Sequence, residues 1–208
     1  MEIRRGLYVI TDPGLSQDLF YDVEAALLGG ATVVQYRNKR ADRDNALTEL
    51  ELLRPLCHSA EALLLVNDDV ELARESGADG VHLGRDDIPY EEARELLGDE
   101  AIIGISCYNN LECALEMEAR GASYVAFGRF FPSQTKPQAA KAEIELLRSA
   151  KQHLEVPVVA IGGITAQNGA TLIEAGADLL AVIHGVFGQD DVRRASESFS
   201  ALFSESFK

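Results

Sequence analysis

Gln35, Arg37 and Lys39 occupy alternate positions in the run Gln35-Tyr36-Arg37-Asn38-Lys39. On an extended chain alternate side chains point the same way, so an amide and two cations converge. Lysine and arginine are mostly solvated surface groups, but this pair stands in a very acidic chain. A guanidinium can bind two anionic oxygens at once while an ammonium acts as a point charge, which together suit the grip on a diphosphate. Two acidic pairs follow, in Asn67-Asp68-Asp69 and in Gly84-Arg85-Asp86-Asp87. Asp69 could cap a helix, and Asp86 or Asp87 could begin a turn. Carboxylates from two adjoining positions are also what Mg2+ needs when it keeps some waters and shares phosphate oxygens with a ligand.

Other residues admit two readings. His82 lies inside an apolar run, where a neutral, hydrogen-bonded core histidine is as reasonable as one that touches a ligand. Ser106 has no evident histidine and carboxylate partners in the sequence, which argues against a nucleophilic serine. The stretch from Gly128 through Ser133, Thr135 and Lys136 brings two hydroxyls and a lysine after Phe130-Phe131. Exposing both rings would be costly, so a loop closing over phosphate is favoured over a plain surface excursion. Gly162-Gly163-Ile164-Thr165 lets backbone N–H groups approach an anion, and Ile183-His184-Gly185 ends a further apolar run.

These groups need a frame. Short apolar, β-branched runs at Leu7–Thr11, Thr32–Tyr36, Leu63–Asn67, Gly80–Leu83, Ile102–Ser106, Tyr124–Phe127, Val158–Ile161 and Leu179–Ile183 alternate with stretches of helical periodicity. Runs apolar at successive positions suit parallel strands buried on both faces. One phrase recurs at helix ends just before the next strand: Gly29-Gly30-Ala31, Gly77-Ala78-Asp79, Gly121-Ala122-Ser123 and Gly176-Ala177-Asp178. Glycine there supplies the left-handed residue that ends a helix, so the phrase marks a repeated turn from helix to strand. Eight such units closing on themselves predict a (β/α)8 TIM barrel, whose site lies at the carboxyl ends of the strands. A doubly wound sheet is the runner-up, but Thr11-Asp12-Pro13-Gly14 is not the glycine-rich turn that it would carry after the first strand.

Length and composition fit a single domain over residues 1–208 with a full core. A net charge of -15 disfavours nucleic acid and anionic membrane as partners, so an anionic ligand must be held by a local cluster of donors. No apolar run approaches a membrane span and the start lacks the features of a secretory signal, which predicts a cytoplasmic protein. Cys57, Cys107 and Cys113 form no metal-binding spacing and read as reduced thiols.

Taken in order, QYRNK, VNDD, GVHLGRDD, GISCY, GRFFPSQTK, VVAIGGIT and GADLLAVIHGVF resemble the thiamin phosphate synthase family over nearly the whole chain. The resemblance implies a transferase that joins 4-amino-2-methyl-5-(diphosphooxymethyl)pyrimidine to 4-methyl-5-(2-phosphoethyl)thiazole, or its 2-carboxy form, releasing diphosphate by Mg2+-assisted dissociative substitution. By similarity Gln35, Arg37, Lys39 and Asn67 would bind the pyrimidine diphosphate, Asp68 and Asp87 would hold Mg2+, and His82 would line the pyrimidine pocket. Ser106, Thr135 and Lys136 would complete the diphosphate grip, with Ser133 and Thr135 also near the thiazole. Catalysis would rest on Arg37, Lys39, Ser106 and Lys136, while Gly163, Ile183 and His184 would receive the thiazole phosphate largely through backbone groups.

This chain departs from the family pattern at Arg129, where proline is usual, at Ser133, where threonine is usual, at Cys107-Tyr108, and at His184, where serine is usual. Related thiazole tautomerases tend to carry histidine in place of Arg129 and to lack the carboxylate of Asp87. A tautomerase and a catalytically silent phosphate sensor are the rival readings. The partners implied are small molecules, and an assembly of identical copies is left open.

Overall fold

Each apolar run pairs with the runs before and after it, and the last closes onto the first. The computed structural model describes residues 2–16, 18–132 and 141–205. The strands are β1 (Gly6–Ile10), β2 (Ala31–Tyr36), β3 (Leu63–Asn67), β4 (Gly80–Leu83), β5 (Ile102–Tyr108), β6 (Tyr124–Gly128), β7 (Val158–Ile161) and β8 (Leu179–Val182). All neighbours are parallel and the barrel is closed, so the predicted TIM barrel is the fold. Around it lie α1 (Leu19–Leu28), α2 (Arg43–Ser59), α3 (Val70–Ser76), α4 (Tyr90–Leu97), α5 (Leu111–Arg120), α6 (Ile144–His153), α7 (Gly169–Glu174), α8 (His184–Phe187) and α9 (Val192–Glu205). The single turn α8, between β8 and the periodic helix that follows, is not legible in the sequence.

Strand parity divides the core in two. Val34 and Tyr36 of β2 face the helices together with Leu64, Val81, Ile103 and Val125, whereas Tyr8, Ile10, Val33, Leu65, Tyr124 and Val159 fill the barrel interior. Each of these side chains contributes about 1.5–3 kcal/mol by leaving water. Aspartates and asparagines start several helices: Asp18, Asp42, Asp69 and Asn110 each accept a backbone N–H three residues on. Among the described residues no helix is long and apolar enough to cross a membrane. Cys57 and Cys107 are buried and Cys113 is half-buried, all three as free thiols.

The recurring glycine-alanine phrase does more than turn the chain. Gly77 and Gly121 end α3 and α5 in the left-handed conformation. The residue after the alanine then ties its strand to the preceding one near the amino ends. Thr32 Oγ1 donates to the Leu7 carbonyl at 3.2 Å, and Asp79, Ser123 and Asp178 accept from the N–H groups of Leu64, Ile103 and Val158 at 2.7, 3.0 and 3.0 Å. These are the even-numbered strands, each fastened to its odd-numbered predecessor at the face away from the site.

Candidate active site

The strands deliver their last residues to a cavity of about 550 Å3 at the carboxyl end, a size that suits small-molecule ligands. Gln35, Arg37, Lys39, Asn67, Asp68, His82, Asp87, Ser106, Gly163, Ile183 and His184 all line it, so the described residues expected to bind substrate or metal meet in one place. Ser133, Thr135 and Lys136 lie outside the described residues. Arg85, Asp86, Tyr108 and Arg129 line the cavity as well.

The cationic side is built on β2, whose alternation sends Gln35 inward and continues through Arg37. The Arg37 backbone is clamped by Thr11, whose hydroxyl accepts its N–H at 2.8 Å and donates to its carbonyl at 3.1 Å. Thr11 is buried, and nothing in its type marks it as more than the end of the first strand. The Arg37 guanidinium stands 3.7 Å from Asp12, a long contact that leaves donors to spare for a ligand. Asn38 serves the loop itself: its carbonyl oxygen accepts from the N–H groups of Arg40 and Ala41, and its amide donates to Glu49.

Opposite stand the carboxylates. Asp68 is in the left-handed region at φ 66, with its N–H bonded to the His82 carbonyl at 2.9 Å. That twist separates the two aspartates: Asp69 caps α3 through the Leu72 N–H at 2.8 Å, while Asp68 turns to the cavity. Asp87 accepts from the Gly84 N–H at 2.6 Å, and Asp86 is exposed. The Asp68 carboxyl is pushed above the usual carboxylate range, first by burial and then by the facing Asp87, against the lowering pull of Asn67 and Lys39. Two carboxylates held face to face repel each other unless a proton or a cation lies between them, and their hard oxygens fit Mg2+. Among the described residues no group of three or more His, Cys, Asp or Glu side chains could hold a metal.

The cavity floor holds a row of polar groups whose connection, and whose two tyrosines, the sequence did not disclose. Gln35 Nε2 donates to the Tyr8 hydroxyl at 2.7 Å, Tyr8 and Tyr124 share a hydrogen bond of 2.8 Å, and His82 bonds through Nδ1 to Tyr124 and through Nε2 to Ser106, both at 2.8 Å. Ser106 therefore does have a histidine partner, contrary to the reading of the sequence, although the group behind that histidine is a phenol rather than a carboxylate. Tyr124 stacks on His82 with ring centroids 5.6 Å apart and meets Tyr8 edge to face at 6.0 Å. Its ring fits because Gly104 has no side chain: a Cβ there would lie 1.9 Å from the ring. Gly104→Ala is accordingly expected to cost about 1–3 kcal/mol by overpacking, read as a lowered melting temperature. An unchanged melting curve would show that the ring has room to move.

The far wall is formed after β6, β7 and β8. Phe130 is buried and Phe131 half-buried, which anchors the segment after β6 as the aromatic pair suggested. Phe131 N–H donates to the Gly162 carbonyl at 3.0 Å, and a Cβ on Gly162 or Gly163 would lie 2.3 Å from Arg129 Cβ or the Pro132 carbonyl oxygen. The two glycines, at φ +105 and +65, are thus required by close packing of this segment as well as by their turn. His184 opens α8 and is exposed, with its ring folded over Gly188.

A sequence model of the family described as "Thiamine monophosphate synthase" matches residues 7–186. The chain is 50% identical over 201 residues to the thiamine-phosphate synthase of Nitrosococcus oceani, covering 96% of this chain and 93% of that one. It is 51% identical over 200 residues to the thiamine-phosphate synthase of Methylococcus capsulatus, covering 96% and 89%. The solved structure of thiamine phosphate pyrophosphorylase from Pyrococcus furiosus superposes with a TM-score of 0.91 at 39% identity, covering 99% of this chain and 98% of that one.

Proposed function

The chain belongs to the thiamine monophosphate synthase family and is an enzyme that makes thiamin phosphate, and from that premise we propose how its residues do so. The observation that carries the reading is the meeting of Arg37 and Lys39 with the Asp68 and Asp87 pair on one cavity. Arg37 and Lys39 bind the diphosphate of the pyrimidine substrate with Asn67, and Gln35 and His82 border its ring. The C–O bond of the pyrimidine methylene breaks, the ring amine stabilises the cation left behind, and the thiazole nitrogen captures it. Nothing in this sequence of events needs a covalent bond to the protein. Arg37, Lys39 and Ser106 meet the charge that grows on the leaving diphosphate, joined by Lys136 from outside the described residues. Asp68 and Asp87 would hold Mg2+, which supplies further positive charge beside the diphosphate. Ser133 and Thr135 complete the substrate contacts in the same assignment.

The thiazole phosphate is received by the backbone at Gly163, Ile183 and His184. The fold of the His184 ring over Gly188 supports a main-chain role for this residue. His184→Ser is then expected to leave KM for the thiazole phosphate within about threefold of wild type, measured by steady-state kinetics at saturating pyrimidine substrate. A far larger rise would make the imidazole the phosphate ligand.

We place the enzyme in the cytoplasm as one catalytic domain over residues 1–208 acting on small molecules, and its net charge of -15 disfavours nucleic acid and anionic membranes as partners. The deciding assay incubates purified protein with both substrates and Mg2+ and looks for thiamin phosphate and diphosphate. Binding of a phosphate without either product would leave a tautomerase or a sensor.

A further inference from the structure

Gln35, Tyr8, Tyr124, His82 and Ser106 come from five different strands and form one line of hydrogen bonds. The direction of the protons along it follows from its fixed end. The Gln35 amide nitrogen can only donate, and it donates to the Tyr8 oxygen. Among the described residues the other partner of that oxygen is Tyr124, so the Tyr8 proton goes to Tyr124. Any other direction would leave a buried hydroxyl proton without an acceptor, which protein interiors rarely tolerate. Tyr124, its oxygen already accepting, gives its own proton to His82 Nδ1. The imidazole is then neutral with its proton on Nε2, which donates to Ser106 Oγ. The Ser106 proton is what remains to face the cavity.

We infer that Tyr124, buried beneath His82, is a positioning residue: it fixes the histidine in its Nε2–H tautomer so that Ser106 offers a proton, not a lone pair, to a ligand oxygen. Tyr8 and Gln35 set the direction behind it. Burial keeps both phenols neutral, Tyr124 well above the ordinary tyrosine value and Tyr8 raised as well, so neither supplies a charge that would reverse the line. The same direction rules out a nucleophilic serine, because His82 gives a proton to Ser106 and has no free nitrogen with which to take one. Only the identity of the acceptor, a diphosphate oxygen, rests on the proposed function; the tautomer belongs to the protein without ligand.

Nitrogen-15 NMR of histidine-labelled, ligand-free protein tests this directly. The chain has four histidines, and His82→Asn identifies the resonances of His82. The expected result is a neutral ring with its proton on Nε2. A proton on Nδ1, or an even mixture of tautomers, would overturn the inference. Tyr124→Phe keeps the ring stacking and removes only the donor, so the tautomers are expected to mix and kcat to fall about tenfold while KM for the thiazole phosphate holds. A Tyr124→Phe enzyme with unaltered kcat would overturn the positioning role, and if that variant does not fold the wild-type tautomer decides alone. Inactive protein with an Nε2–H ring would sink the proposed reaction and leave the polarity standing, whereas active protein with an Nδ1–H ring would do the reverse.

Discussion

Asp68→Asn and Asp87→Asn are each expected to lower kcat/KM by about a hundredfold or more and to blunt its dependence on Mg2+, because a neutral amide is a poorer ligand for a hard dication. Asp69→Asn and Asp86→Asn should keep near-normal Mg2+ activation, since Asp69 caps α3 and Asp86, although it borders the cavity, is exposed and is not the carboxyl that faces Asp68. The loss at Asp69 is one of stability, about 1 kcal/mol at most. The pair also makes a prediction without metal. Asp68 has its carboxyl raised by burial and by Asp87, so the folded chain holds that proton more tightly than the unfolded one. Stability of this kind is present below the unfolded pKa and is lost as pH rises through the folded value. Removing one charge by Asp87→Asn should therefore raise the melting temperature of the metal-free protein at neutral pH, by a margin that shrinks toward about pH 4. Adding Mg2+ should stabilise the wild type and leave the variant unmoved. Thermal melts of the four variants with chelator and with Mg2+ decide it: a metal requirement set by Asp86 would end the assignment.

Arg37→Ala is expected to reduce activity by about a thousandfold while the melting temperature stays close to wild type. The loop does not depend on that side chain, because Thr11 holds the Arg37 backbone on both its N–H and its carbonyl. Arg37→Lys should recover only part of the loss, since an ammonium cannot span two oxygens of a diphosphate as a guanidinium does. The measurement is kcat/KM for the pyrimidine substrate beside a thermal melt. Activity within a few-fold of wild type in the alanine variant would remove Arg37 from the grip.

The strands were legible because unbroken apolar runs and a recurring glycine-alanine phrase repeat around the chain, and their bounds agree with the structure to within two residues. The charged residues of the candidate site were legible because Arg37, Lys39, Asp68 and Asp87 are unexpected types at the ends of apolar strands. Tyr8 and Tyr124 were not, because a tyrosine within a buried strand has the pattern of an ordinary packing residue, and only its hydroxyl partners distinguish it. The contact of His82 with Ser106 was hidden by sequence distance. It follows from register: His82 pairs with Gly104, which places Ser106 one inward position further along the neighbouring strand. The twist at Asp68 that divides the aspartate pair has no sequence signature beyond the tolerance of aspartate for left-handed backbone.

Thr32, Asp79, Ser123 and Asp178 fasten the strands two by two at the base of the barrel, each at the same place in its own stretch of sequence. The molecule can therefore be regarded as four tiles, each a strand, a helix and a strand, with its own internal latch. A latch at the base leaves the rim free to change. Arg129 and His184 stand at the rim, where a substitution does not disturb how any tile is closed. Exchange of whole tiles between relatives, cut at the junctions β2 to β3, β4 to β5 and β6 to β7, should yield folded hybrids more often than cuts made inside a tile, where the latch and its partner would come from different parents.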